Sequence, residues 1–221
     1  MFPTLTLFDL DHTLLDGDSD VLWCDFLMDR GVLDRAVFAP RNAAMEAGYQ
    51  AGTVSVQDFC GFYVGTLAGR SAAGWQPLRE EFLRERVQPR LLPEAIALVE
   101  RHRDAGDLLV MTTATNRFIT ELTARHLRIG HLLATECEVG ADGRFSGRST
   151  GTLNMREGKV ARLEAWLRDQ GLALADLDSR CYSDSMNDLP LLERVRHPVA
   201  TRPDPQLAAV AAERGWPVLR F

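Results

Sequence analysis

Near the start of the chain, the segment TLTLFDLDHTLLDGDSD sets Asp9 and Asp11 directly behind an apolar, strand-like run and adds Asp16, Asp18 and Asp20 shortly after. A strand end drawn into a core is an expensive place for carboxylates. Like charges this close resist joint ionisation unless a cation, a shared proton or hydrogen bonds compensate. Two carboxylates separated by one residue can divide labour, one serving as nucleophile or metal ligand and the other as acid and base. Alone, a DxD pattern also arises by chance or as a calcium or sugar-nucleotide ligand.

Three later segments add to its weight. Thr113-Ala114-Thr115-Asn116 follows the run LLVMT and precedes a helical stretch. Hydroxyls and free N–H groups at a strand-to-helix turn make an anion site, although capping by Thr115 or Asn116 is the plainer use of the same residues. Arg156-Glu157-Gly158-Lys159 opens an amphipathic helix. A lysine in a first turn opposes the helix dipole at a cost of roughly a few tenths of a kcal/mol, so helix energetics do not account for Lys159; it faces either a phosphate or solvent. Finally, Tyr182-Ser183-Asp184-Ser185-Met186-Asn187-Asp188 supplies two more carboxylates behind another apolar run. Hard oxygen donors from two strand ends, completed by a phosphate oxygen and waters, suit Mg²⁺.

These segments must be held by a sheet. Apolar runs at Leu5 to Phe8, Leu108 to Thr112, Leu132 to Glu138, Cys181 to Ser183 with its preceding residues, Pro198 to Thr201 and Val218 to Phe221 read as strands. Stretches of helical period lie between them, as at Leu92, Ile96 and Val99 and at Val160, Leu163, Trp166 and Leu167. The alternation predicts an α/β fold of Rossmann-like type, a mostly parallel sheet with helices on both faces. Asp142-Gly143 has turn chemistry and predicts a hairpin hung on the third strand.

From about Gly17 to Pro89 no strand pattern occurs. Val56, Phe59, Cys60, Tyr63, Val64 and Leu67 form a helical stripe, Leu22, Trp23, Phe26 and Leu27 a second face, and Trp75, Leu78, Phe82 and Val87 a third. We expect an all-helical cap, residues 17–89, over the carboxyl ends of the strands, where open α/β sheets bind ligands. Residues 1–16 and 90–221 then form the core.

Composition narrows the partners. A net charge of −6 disfavours a nucleic-acid footprint, and the arginines between Arg79 and Arg90 are interleaved with Glu80, Glu81 and Glu85. No apolar run approaches a membrane span. Cys24, Cys60, Cys137 and Cys181 lack CxxC spacing, so free thiols in a reducing cytoplasm are expected, and the N-terminal residues lack the pattern of a secretion signal.

Taken together and in order, DLDHT, LLVMTTATN, EGK and SDSMND resemble the motif set of haloacid dehalogenase (HAD) superfamily phosphatases, in the branch similar to phosphoserine phosphatase; the helical insert agrees with that branch's cap. The resemblance covers nearly the whole chain and implies a role for each matched residue. Asp9 is the expected nucleophile, forming an aspartyl-phosphate. Asp11 is the expected acid and base, and its backbone carbonyl a metal ligand. Thr113, with Ala114, holds the phosphate, and Lys159 neutralises it and positions Asp9. Asp184 binds Mg²⁺ with Asp9, and Asp188 supports the metal directly or from behind. Asn187 is a substrate contact. The implied partner is a small phosphorylated metabolite, with no nucleic acid and no membrane, for a monomer or homodimer. Asp11 argues against carbon–halogen chemistry, which needs no acid for its leaving group.

Substrate choice is expected to lie with the cap. Asp18 matches an acidic residue of phosphoserine phosphatases, but the cap arginine that takes the substrate carboxylate there is replaced: counted from Gly52, the comparable position is near Tyr63. Asp16, Asp18 and Asp20 at the mouth could meet the ammonium of an amino-alcohol phosphate such as histidinol phosphate or phosphoethanolamine, and Asp18 or Ser19 is equally a helix N-cap. His12 carries no expected role. Trp23, Phe59, Tyr63 and Trp75 are read as cap core, with one or two lining the pocket. The rivals are a phosphotransferase or mutase using the same residues, and a non-catalytic phosphate-binding module.

Overall fold

In the computed structural model, which describes residues 4–221, seven strands form one sheet in the order β4-β3-β2-β1-β5-β6-β7. The strands are β1 (Leu5–Phe8), β2 (Leu108–Asn116), β3 (His131–Val139), β4 (Phe145–Thr150), β5 (Ser179–Ser183), β6 (His197–Thr201) and β7 (Val218–Leu219). All neighbours pair in parallel except β3 and β4, which form the hairpin expected at Asp142-Gly143. Gly143 takes φ 75°, the left-handed conformation that this turn demands.

The short β1 is innermost, with Leu5 opposite both Leu108 and Ser179. Its side chains alternate between two cores. Leu5 and Leu7 pack with Leu163 and Leu167 of α7 (Glu157–Asp169) and with Leu207 and Ala211 of α9 (Pro205–Arg214). Phe8 faces the other side, against Leu98 and Val99 of α5 (Pro93–Asp104) and Phe118 and Ile119 of α6 (Arg117–His126). Burial on both faces explains why the strands read as continuous apolar runs rather than alternating ones. From β1 the chain reaches β2 on one side and from β5 it reaches β6 on the other, so a crevice forms at the carboxyl ends of β1 and β5, the place where such sheets bind ligands.

Between β1 and α5 the chain is helical: α1 (Ser19–Asp29), α2 (Arg35–Gln50), α3 (Val56–Gly65), α4 (Ala72–Phe82), then a π-turn over Leu83–Val87. Trp23, Phe26, Trp75 and Phe82 are buried together, with Trp23 and Phe82 edge to face at 5.1 Å. This aromatic set is continuous with the core that covers Phe8, which fastens the helices to the sheet by apolar burial. A short helix, α8 (Leu189–Leu192), follows the last acidic motif. Among the described residues no helix is long and apolar enough to cross a membrane, and the four cysteines are free thiols.

Candidate active site

β1 carries Asp9 to its carboxyl end, where the Asp9 N–H still donates to the Tyr182 carbonyl at 3.0 Å and so keeps β1 and β5 in register. The chain then turns sharply. His12 adopts φ 57°, rare for a residue with a Cβ, and Thr13 points back to donate to Asp184 Oδ1 (3.0 Å) while accepting from the Asp184 N–H (3.0 Å). The first and last acidic motifs are thereby locked together.

Lys159 is the centre of the arrangement. Its Nζ lies 2.7 Å from Asp9 Oδ1 and 2.7 Å from Asp188 Oδ2, and it is 3% exposed. Ser183 Oγ also donates to Asp188 Oδ2, at 2.7 Å. The placement of a lysine in the first turn of α7 is explained: the buried carboxylates more than offset the unfavourable dipole. Burial works against the lysine charge, but Asp188 and Asp9 overcome it and hold the ammonium well above its ordinary pKa. Burial pushes Asp9 up to about 7, with Asp188 and Asp11 adding to the rise and Lys159 opposing it. Asp184 is raised by burial and by the charges of Asp9 and Asp188.

Asp11 is oriented by three donors: Ser19 N–H at 2.8 Å on Oδ1, and the Thr115 and Thr113 hydroxyls at 2.8 and 3.2 Å on Oδ2. Asn116 caps α6 by accepting from the Ile119 N–H at 3.1 Å, so this turn divides the two uses foreseen for it. Beneath it Asn154, fully buried, donates to Thr112 Oγ1, the Thr113 carbonyl and the Leu133 carbonyl within 3.0 Å and ties the ends of β2 and β3 to the loop before α7.

The pocket bounded by Asp9, Asp11, Lys159, Asp184 and Asp188 has a volume of about 60 Å³ and continues into an outer cleft of about 770 Å³. Asp18, Ala114 and Asn187 border the inner pocket, as does Phe59. Thr113 does not: it is fully buried and its hydroxyl is turned to Asp11, so the wall at this turn is Ala114 and Thr115. Asp188 is 2% exposed and its Oδ2 is committed to Lys159 and Ser183.

The acidic mouth differs from expectation. Only Asp18 lines the pocket, and it is also the N-cap of α1, accepting from the Asp20 and Val21 N–H groups at 2.9 and 3.0 Å. Burial and the nearby Asp11 push its carboxyl up to about 8 against those hydrogen bonds. Asp16 turns outward to Arg202 at 2.7 Å, and Asp20 is buried, accepting from Asn116 at 3.3 Å. Trp23, Tyr63 and Trp75 are core; the Tyr63 hydroxyl donates to Asn42 at 3.0 Å. His12, given no expected role, borders both pocket and cleft because its left-handed backbone re-aims the side chain. Tyr49 belongs to none of the motifs or stripes that the sequence displays. It borders both spaces, stacks on Phe59 with centroids 4.2 Å apart, and accepts from Asn187 Nδ2 at 2.9 Å, while Arg156 Nε donates to Asn187 Oδ1 at 3.0 Å.

A buried lysine between two carboxylates, at the switch point of a mostly parallel sheet and beside a hydroxyl-lined turn, is an arrangement with the chemistry to take an oxyanion and a counter-cation. The family model of haloacid dehalogenase-like hydrolases matches residues 6–193, and the chain belongs to that family, among its phosphatases. It is 38% identical over 218 residues to a histidinol-phosphatase of Neisseria meningitidis, covering 98% of each chain. It is 33% identical over 224 residues to phosphoserine phosphatase SerB1 of Mycobacterium tuberculosis, covering 97% of this chain and 70% of that one. Among solved structures, a protein of unknown function from Bordetella pertussis superposes with a TM-score of 0.94 at 44% identity, covering 100% of this chain and 99% of that one. A substrate-bound phosphoserine phosphatase superposes with a TM-score of 0.71 at 15% identity, covering 100% of this chain and 94% of that one, and shares the fold.

Proposed function

We propose that the protein hydrolyses a small amino-alcohol phosphate, a class that includes histidinol phosphate and phosphoserine, through an aspartyl-phosphate on Asp9. The observation that carries this reading is Lys159 held 2.7 Å from both Asp9 and Asp188. With Lys159 on Oδ1, Asp9 keeps Oδ2 for phosphorus. An Asp9–O–P bond forms as the ester P–O bond breaks, and Asp11 gives a proton to the departing alkoxide. Asp11 then takes a proton from water as that water attacks phosphorus, releasing orthophosphate and restoring Asp9. The Ser19, Thr113 and Thr115 donors keep Asp11 aimed through both steps. Lys159 offsets the repulsion between anionic nucleophile and anionic ester.

The donor set fits Mg²⁺. Among the described residues no three acidic, histidine or cysteine side chains form a ready-made cage, and Mg²⁺ takes one or two carboxylates plus phosphate oxygens and water. Asp9, Asp184 and the Asp11 carbonyl would hold it, with Asp188 acting from behind through Lys159 and Ser183. The ion supplies charge neutralisation at the transferring phosphoryl group. We further assign residues 17–89 as a cap that walls the leaving group from water, Asp18, Ala114 and Asn187 as substrate contacts, and a reducing cytoplasm as the setting that suits four free thiols. Thr113 then acts on phosphate through Asp11 and its neighbours rather than by direct contact.

Phosphate release from such esters should require Mg²⁺, stop with EDTA and fall by at least about a thousandfold in Asp9→Asn, in keeping with loss of a covalent nucleophile. Single-turnover quenches with ³²P-labelled ester should trap label on the wild-type protein. Undiminished turnover by Asp9→Asn would rule out the covalent route.

A further inference from the structure

The outer cleft is walled by acid at two depths. Asp18 borders both the inner pocket and the cleft, whereas Glu46 borders the cleft alone. Glu46 and Tyr49 stand three residues apart on α2 and therefore share a helix face; Tyr49 borders both the inner pocket and the cleft, and the half-buried Glu46 borders only the cleft. Among the described residues no lysine or arginine pairs with Glu46 within 4.0 Å, although ion pairs are plentiful elsewhere, as at Arg30–Glu81 and Arg79–Glu121. Three other carboxylates border the cleft, and of these Asp184 belongs to the candidate centre and accepts from the Thr13 hydroxyl. Asp204 accepts from the N–H groups of Met186, Gln206 and Leu207, and Glu157 sits in the first turn of α7, where the helix dipole favours it.

We propose that Glu46 is a specificity-determining residue that receives a second, distal basic group of the leaving alcohol, while Asp18 receives the amine nearer phosphorus. This rests on the phosphatase reading above and narrows it: the preferred ester carries two cationic or N–H-donating groups and no carboxylate. A leaving group with a carboxylate would face Glu46 and add a further acid beside Asp18, whose ionisation burial and Asp11 already oppose, and the position expected to hold a receiving arginine is the buried Tyr63. Arg156 is the cleft's arginine among the described residues; its Nε donates to Asn187, and whether its remaining N–H groups take a carboxylate is what the Arg156→Gln arm of the test reads. A planar base fits the wall, because Tyr49 is itself backed by the stacked Phe59 ring.

The test is a ratio of kcat/KM values for full-length protein with Mg²⁺, measured on histidinol phosphate (amine plus imidazole), phosphoethanolamine (amine alone) and phosphoserine (amine plus carboxylate). Wild type should rank them in that order. Glu46→Gln should lower the histidinol phosphate to phosphoethanolamine ratio by about 10-fold or more, chiefly through KM, the scale of one lost charge-assisted contact. Glu46→Asp should restore part of it, and Glu46→Arg should raise phosphoserine relative to the other two. A ratio unmoved by Glu46→Gln, or one moved instead by Arg156→Gln with phosphoserine preferred, would overturn the proposal while leaving the phosphatase reading intact. Wild-type protein that released phosphate from none of these esters, nor from p-nitrophenyl phosphate, would overturn that reading and this one with it.

Discussion

Lys159 and Asp9 are bonded to each other, yet their replacement should have opposite consequences for stability. Lys159 compensates two buried carboxylates, so Lys159→Met leaves Asp9 and Asp188 facing each other with no cation between them. Breaking a buried pair from the cationic side costs about 3–5 kcal/mol, and we expect that loss in urea unfolding of metal-free protein at pH 7.5. Asp9→Asn removes one member of the acidic cluster while Lys159 keeps Asp188. Because burial and the charges of Asp188 and Asp11 already disfavour ionised Asp9, the metal-free Asp9→Asn protein should unfold at the same urea concentration as wild type or a higher one, despite the loss of turnover expected of it. Active residues held against their own electrostatics commonly trade stability for function. Equal losses in the two variants would mean that Asp9 is chiefly a structural partner of Lys159.

At the scale of elements, Lys159 is placed by a tight loop rather than by α7 alone. A Cβ on Gly158 would lie 2.0 Å from the Leu153 carbonyl oxygen, and Asn154 next to that carbonyl holds the ends of β2 and β3. Gly158→Ala must therefore push α7 away from the strand ends. Overpacking of this kind costs about 1–3 kcal/mol, and because Lys159 is the adjacent residue, kcat should fall as well, with circular dichroism confirming that helix content is kept. A variant with wild-type melting temperature and kcat would show that the loop yields freely. The sequence foretold the part of this arrangement that depends on pattern. Continuous apolar runs located the strands to within a few residues, and the ordered motifs singled out Asp9, Asp11 and Asp184 beyond strand ends and Lys159 in the first turn of α7. What it hid depends on tertiary geometry. The inward face of α2, Phe38, Ala39, Met45 and Tyr49, is interrupted by the buried Asn42, and Pro40 lies inside the helix, so its apolar period is broken and nothing in the pattern singles out Tyr49 or Glu46. The separation of Asp16, Asp18 and Asp20 into a surface pair, a cap and a buried acceptor follows from where α1 starts. Asp18 is one of the two N-caps the pattern offers and is the one the structure uses, but the outward turn of Asp16 and the burial of Asp20 depend on Arg202 and Asn116, far off in the chain.

For the whole molecule, the helical insert is held to the sheet domain differently at its two ends. Near the cleft a small apolar cluster, Phe59 and Tyr63 with Met155, is joined by the hydrogen bond from Asn187 to Tyr49. On the far side the link is apolar too and is reinforced by Arg79, which is 6% exposed, lies over the Phe118 ring at 4.5 Å and donates to Glu121 at 2.8 Å, joining α4 to α6. Burial alone would raise Glu121, but hydrogen bonding and charge from Arg79, with help from Arg125, leave its pKa below the ordinary glutamate value. A carboxyl whose pKa is depressed on folding contributes stability above its unfolded pKa and loses that contribution as pH falls through the folded value. Glu121 is partly exposed and screened, so the expected cost of Glu121→Gln at pH 7 is only about 1–2 kcal/mol, much of it the penalty of a buried guanidinium left short of an acceptor. The difference from wild type should stay constant down to about pH 5, shrink as pH drops below the ordinary glutamate range, and vanish once Glu121 is protonated, when the two side chains become near equivalents. Urea midpoints at pH 7, 5, 4 and 3 read this directly. A gap that persisted at pH 3 would mean that shape and packing, rather than the ion pair, make this joint, and that the insert would stay fastened at this end even with the charge removed.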